Sequence, residues 1–310
     1  MKKFLLSILV FIGIRLMAQQ DPQISHYMFL TPIYNPATVG ISSDISIKLL
    51  NHNQWLKFEG APQTNYFSID APINVVGNNA GIGAIILSDT YGFVQDMTLG
   101  LMGAYHMDLF YGTLSLGFSV GAFSKQFNEV NWSFPDQQES LFPSQSRSMI
   151  LDFNLGVYYV YNNFYTGLSM THITAPNFVF ISEGGDEYQL GIARHFYFTA
   201  GYNINMSNSL FEIKPSVLVK SDASQIQVDI NIMTLYNKIF WAGVSYRNKE
   251  SIIVFIGTSA FKNIELGLSY DFLINTINRI SNGTFEVYLG YKFALLKMDK
   301  PQHYHNVKTL

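Results

Sequence analysis

The sequence predicts an all-β fold: a transmembrane antiparallel β-barrel of about 14 strands, with an irregular cap or plug segment at its N-terminal side. Three observations predict it. Charged residues make up only 13% of the 310-residue chain and aromatics reach 15%, against a charged fraction of about 25% in ordinary soluble domains. Beyond the first 18 residues no run approaches the roughly 18 consecutive apolar residues of a membrane-spanning helix. The dominant hydrophobic period is two, the period of a strand with one apolar face.

The leader comes first because it sets the compartment. Lys2 and Lys3 precede an apolar run over 4–14, followed by Ala18 and the polar Gln19, Gln20 and Asp21. That is the layout of a secretory signal peptide, expected over 1–18 with cleavage after Ala18. Losing Lys2, Lys3 and Arg15 leaves 16 basic against 22 acidic residues, a net charge of about −6. Such a balance gives no basic footprint for nucleic acid. With no cysteines, disulfides, thiolate metal sites and thiol catalysis are excluded.

The alternation is clearest over 263–272, where Ile264, Leu266, Leu268, Tyr270 and Phe272 interleave with Glu265, Gly267, Ser269 and Asp271. It recurs over 284–293, 113–122 and 151–159. Strands are expected at 43–52, 63–72, 80–89, 97–109, 112–124, 149–160, 163–171, 194–205, 211–220, 225–233, 238–248, 251–260, 263–273 and 284–294. Each is near the ~9–11 residues that a tilted strand needs to cross the hydrocarbon layer. Lipid offers backbone amides no hydrogen bonds, so the sheet must close. The predicted joints alternate between brief and longer, as they do when both chain ends face the periplasm. The joint after the second strand, through Asn74, Gly77 and Asn78, is the exception among the brief ones; the joint between the third and fourth strands, 90–96, is expected among the longer. The barrel is expected over 43–294 and a C-terminal tail over 295–310. The inward residues are mostly Gly, Ser, Thr, Asn and Gln with a few charges, which suits a wall facing water or a plug rather than a packed apolar core.

Two segments are not strands. Residues 19–42 form an irregular periplasmic or lumenal segment, in which Pro22, Pro32 and Pro36 forbid a regular ladder and Tyr27, Met28, Phe29 and Ile33 would not sit free in water. Residues 53–62 form a first outer loop carrying Trp55 and Phe58 beside Gly60 and Pro62. Interfacial anchoring of the two aromatics and binding of a partner or plug are both consistent with it. Tyr27, Met28, Phe29, Asn35, Pro36, Trp55, Phe58, Gly60 and Pro62 are therefore the candidate plug or partner-binding residues.

No catalytic, cofactor or metal site is expected. His106 and Asp108 share one strand face, but no nucleophile is specified between them. The run 183–187 is acidic without the ligand order of a known calcium loop, and His303 and His305 lie in the tail.

The same two segments carry a family resemblance. Asp21-Pro22-Gln23, Tyr27-Met28-Phe29, Asn35-Pro36-Ala37 and Gly40, then Gln54-Trp55, Phe58-Glu59-Gly60-Ala61-Pro62 and Thr64, resemble the opening of the PorP/SprF membrane proteins of the bacterial type IX secretion system. Gly81-Ile82-Gly83 before Asp89, Thr199-Ala200-Gly201-Tyr202 and Lys214-Pro215-Ser216 fit the same layout, while Thr38-Val39 depart from it. The resemblance implies a non-enzymatic barrel in the Gram-negative outer membrane that needs no cofactor. It implies as partners outer-membrane lipid, other type IX secretion components and a cargo protein with a C-terminal sorting domain, in secretion or gliding motility. The alternative is a passive pore or hydrophobic-solute transporter.

Overall fold

A computed structural model describes residues 21–128, 147–181, 185, 187–206, 210–261 and 263–294. The expected signal peptide at 1–18, the tail with His303 and His305, and most of the acidic run 183–187 lie outside the described residues.

The strands are β1 (Asp44–Asn53), β2 (Gln63–Val75), β3 (Asn78–Tyr91), β4 (Val94–Leu109), β5 (Gly112–Phe127), β6 (Arg147–Tyr161), β7 (Phe164–Thr171), β8 (Asn177–Ile181), β9 (Glu187–Gly191), β10 (His195–Tyr202), β11 (Ile204–Asn205), β12 (Phe211–Ser221), β13 (Ile226–Tyr236), β14 (Phe240–Arg247), β15 (Ser251–Phe261), β16 (Ile264–Leu273) and β17 (Thr284–Ala294). Each wall strand pairs antiparallel with its sequence neighbour. β1 pairs with β17 along its whole length, Asp44 opposite Ala294, and this closes the barrel. β11 continues β10 against the same partner, β12, so the wall has 14 strands. β8 and β9 form a separate hairpin within the connection from β7 to β10.

The period-two pattern becomes the two faces of the wall. On β16, Leu266, Leu268 and Phe272 point outward, while Gly267, Ser269 and Asp271 are buried inside. Closure pairs β1 with β17, so the sheet presents no free strand edge to lipid.

Two predicted joints are corrected. The connection after β2 is not long: β2 runs on to Val75 and β3 begins at Asn78, leaving Val76 and Gly77, both at positive φ (52° and 83°). The Asn74 side chain accepts from the Gly77 amide across this turn, 2.8 Å away. Asn74 and Asn78 are extended, not turn, residues. The connection from β3 to β4 is likewise only Gly92 and Phe93, because both strands lengthen beyond the hydrophobic run that marked them. In both places ladder pairing extends the strands past the point where their side chains stop alternating.

The start of the described chain is a further correction. The strand ends at 53, 171 and 195 define the end of the barrel that carries the long connections, and Asp21 lies there, bonded to His172 at 3.0 Å. Asp44, where β1 starts, lies at the opposite end opposite Ala294. Residues 21–42 therefore run the length of the lumen, and Asp21 does not share an end with residue 294 as expected. They do so with two short 3-10 turns, Thr31–Ile33 and Pro36–Thr38, each with proline in its first positions.

Candidate functional site: a filled lumen beneath a vestibule

The lumen is occupied by its own N-terminal segment. Ile24, Tyr27, Met28, Phe29, Leu30, Tyr34 and Val39 are buried and join Tyr66, Met102, Tyr197, Met233, Trp241, Phe255 and Tyr288 of the wall in one apolar cluster. Phe29 packs against Trp241 and Tyr288 with ring centroids 4.8 and 5.0 Å away. Of the two fillings expected for such a wall, water or a plug, the lumen holds the plug. The wall is mostly polar, but its few large inward apolar groups sit where the segment offers Tyr, Met and Phe.

An irregular segment buried in a barrel has backbone groups that water cannot reach, and each needs a partner. Side chains of the wall supply them. Glu286 on β17 accepts from the Ser25 and His26 amides at 3.0 and 2.8 Å. Asp70 accepts from Gly40 N at 3.1 Å. Ser169 donates to Tyr34 O and Ser115 to Ala37 O, both at 2.6 Å. Arg247 reaches Ile24 O while its guanidinium pairs Asp229 at 2.9 Å and Asp271 at 3.2 Å. Asp271 also accepts from Ser25 Oγ at 2.8 Å. Glu286 is flanked by His26 Nδ1 and His52 Nδ1, at 2.5 and 2.7 Å. Glu286, Asp70, Asp271 and Arg247 are therefore partners of the segment, while Lys125–Asp96 and Lys292–Glu265 pair within the wall.

Glycines of the wall make room. A Cβ on Gly117 would lie 2.1 Å from Ala37 N, one on Gly156 1.9 Å from Asn35 Oδ1, and one on Gly81 2.0 Å from Val39 O. Asn35 caps the second turn by accepting from Ala37 N at 2.9 Å, and its Nδ2 donates to Val157 O of β6 at 3.0 Å. Tyr27 OH meets Ser216 at 2.9 Å. Tyr27, Met28, Phe29, Asn35 and Pro36 are therefore brought together as the inner filling, buried throughout.

Trp55, Phe58, Gly60 and Pro62 are elsewhere, on the loop 54–62 at the long-connection end. That loop is fastened to its neighbours through its backbone. Leu56 N donates to Gly283 O at 2.7 Å, Asn282 N to Leu56 O at 2.9 Å, and Gly92 N to Gly60 O at 2.8 Å. Trp55 at φ 50° and Lys57 at φ 69° stand in the left-handed region, which costs a non-glycine residue of order 1 kcal/mol or more. Trp55 meets Phe58 edge-on at 6.3 Å, and Phe58 is 42% exposed. Trp55 and Pro62 face a vestibule of about 380 Å³ over the filled lumen, with Asp21, Asp96, His172 and His195 on its other walls.

The side chains around Asp21 were not singled out from the sequence. His172 lies between two carboxylates, Nε2 3.0 Å from Asp21 and Nδ1 3.0 Å from Asp152. Tyr197 OH donates to Asp21 Oδ2 at 2.5 Å, and His195 Nδ1 is 3.8 Å from the same oxygen. Burial alone would raise the Asp21 pKa, but the charges of His172 and His195 outweigh it and hold the carboxyl well below its usual range. Burial alone would lower that of His172, but Asp21 and Asp152 raise it to about 10. Nothing in the local sequence marks these groups as neighbours, because 21, 152, 172 and 195 meet only across the closed sheet.

His106 does not pair with Asp108, which is exposed at the rim. It meets Ser115 instead at 2.5 Å, and that hydroxyl is spent on the Ala37 carbonyl with no exposed surface.

The sequence matches, over residues 16–291, the family described as type IX secretion system membrane protein PorP/SprF. The chain belongs to the PorP/SprF family. This places it in the outer membrane of a Gram-negative bacterium, among type IX secretion components. No curated protein matches it in sequence. Among solved structures, the fold of this PorP/SprF protein is similar to the Pseudomonas putida toluene transporter TodX (11% identity, 89% of this chain and 95% of that one, TM-score 0.52). It is also similar to the Ralstonia pickettii toluene transporter TbuX (12% identity, 87% and 93%, TM-score 0.51). At such identities the likeness is one of barrel architecture. The PorP/SprF match spans both the filling segment and the loop 54–62, so the motifs of the two non-strand segments are features of one barrel: its filling and one of its rims.

Proposed function

We propose that this barrel supports the export or surface attachment of proteins bearing a C-terminal sorting domain, as a non-enzymatic part of type IX secretion and of gliding where that machinery drives it. The observation that carries the reading is the lumen. It is packed along its length by residues 21–42, whose backbone is bonded to the wall. A barrel filled in this way is suited to acting through its rim. At that rim the loop 54–62 is held in shape and presents Trp55 and Phe58. Aromatic anchors in such a position contribute about 2 kcal/mol or more to a protein interface.

The test replaces the chromosomal copy with a variant carrying Trp55→Ala and Phe58→Ala. The expected result is a heat-modifiable barrel at normal abundance in the outer membrane, with surface display of a sorting-domain cargo lost. Normal display at normal barrel abundance rejects the role given to this loop.

A second reading, passage of small hydrophobic solutes, draws on the similar architecture of two proteins described as toluene transporters. It requires the filling segment to move, and predicts that deleting the protein slows hydrophobic-solute uptake while leaving cargo display intact.

A further inference from the structure

We propose that Asp21, His172 and His195 form a binding site for a divalent first-row transition metal cation in the vestibule, with zinc as its natural probe. One candidate ligand atom from each residue lies within 4.8 Å of the others. His172 Nε2 to Asp21 Oδ1 is 3.0 Å, and the His195 ring lies beside the same carboxylate, its Nδ1 3.8 Å from Oδ2. Donors bound at ~2.0–2.2 Å around a tetrahedral cation sit roughly 3.3–3.6 Å apart, so a cation would spread the His172–Asp21 pair by only a few tenths of an ångström. Two imidazoles and one carboxylate, with room for water from the vestibule, make a set that suits zinc, iron, nickel or copper rather than calcium or magnesium.

The surroundings are those of a metal site as well. Ligating histidines usually have their second nitrogen directed by a carboxylate or a carbonyl. His172 Nδ1 lies 3.0 Å from Asp152 Oδ1, a buried carboxylate outside the ligand set. Tyr197 OH steadies Asp21 from the side. Pairing of His172 with the two carboxylates explains that residue without a cation. His195 is 3% exposed; its Nδ1 faces Ala193 O at 3.2 Å, which leaves Nε2, buried with no hydrogen-bond partner among the described residues, as the nitrogen free to take a cation. The three ligands come from the start of the filling segment, the connection after β7 and the first residue of β10. A cation there pins the segment to the mouth of the barrel.

The experiment uses the full-length protein purified in detergent without a histidine tag and stripped with chelator. Zinc binding is read by calorimetry against a competing chelator, and the bound zinc's surroundings by X-ray absorption. The expected result is one zinc per chain with two imidazole ligands. Asp21→Asn, His172→Ala and His195→Ala should each weaken binding about tenfold or more in heat-modifiable barrels. His303→Ala with His305→Ala should leave affinity unchanged, since the proposed site draws its ligands from Asp21, His172 and His195. Absence of saturable binding, undiminished affinity in the His172→Ala/His195→Ala double variant, or loss of binding with the tail variant overturns the proposal. So does an absorption spectrum without imidazole scattering, which needs no variant at all.

Discussion

Glu286→Ala is the substitution that should release the filling segment most effectively. The carboxylate is fully buried and accepts from two backbone amides, Ser25 N at 3.0 Å and His26 N at 2.8 Å. It also holds the rings of His26 and His52. Truncation leaves those amides without acceptors inside the lumen. Each stranded donor costs about 1–3 kcal/mol, so the docked segment loses about 2–6 kcal/mol. At about 1.4 kcal/mol per decade, its open population rises roughly thirtyfold to ten-thousandfold. The wall itself keeps its ladder, since Glu286 contributes only its backbone to the pairing with β1 and β16. The assay is amide hydrogen exchange of peptides within 21–42, with conductance in planar bilayers alongside. Exchange of residues 24–30 should accelerate by at least the lower figure and conductance should rise, in a barrel that still shows heat-modifiable migration. Glu286→Gln, which retains one acceptor oxygen, should fall between. Unchanged exchange and conductance in a folded Glu286→Ala barrel would refute the claim that this carboxylate holds the segment in place.

Gly117→Ala should loosen the same segment by about 1–3 kcal/mol of overpacking, because its Cβ meets backbone atoms of Ala37. Gly103→Ala, with nothing within 4 Å of its Cβ, should leave exchange in 21–42 unchanged; equal effects would show that the glycines serve the wall and not the filling. Leu268→Arg puts a cation on the lipid face and should lower barrel stability by about 2–4 kcal/mol near the midplane, read as folded yield in lipid vesicles. Wild-type yield would place Leu268 off that face. Cysteine at Glu59, on the loop 54–62, should react with an impermeant label on intact cells, whereas cysteine at Tyr111, in the turn between β4 and β5, should not. Labelling of Tyr111 alone would invert the barrel in the membrane.

The fold was legible because the physics that dictates it is periodic. Lipid on one side and a partly polar lumen on the other impose alternation, so 263–272 and 284–293 read directly as β16 and β17. Closure follows from the cost of an unpaired edge in hydrocarbon. Strand ends were less legible. The β2–β3 and β3–β4 turns shrink to two residues because backbone pairing continues where side-chain alternation has ceased. The prolines and aromatics of 21–42 marked a segment that could be neither strand nor free chain. Their spacing said nothing of its course from one mouth of the barrel to the other.

What the sequence by itself determined is the class, the strand count, the faces and the two irregular segments, all of which rest on neighbours close in the chain. The tertiary structure alone decided who meets whom across the lumen. Ser25 meets Glu286 and Asp271, Ile24 meets Arg247, Ala37 meets Ser115, and Asp21 meets His172 and His195. Those partners are up to 261 residues apart. Their meeting depends on the sheet closing and on the wall glycines that let an irregular backbone approach it. Local pattern carries no record of such contacts, because each inward charge looks the same whether it faces water or an amide.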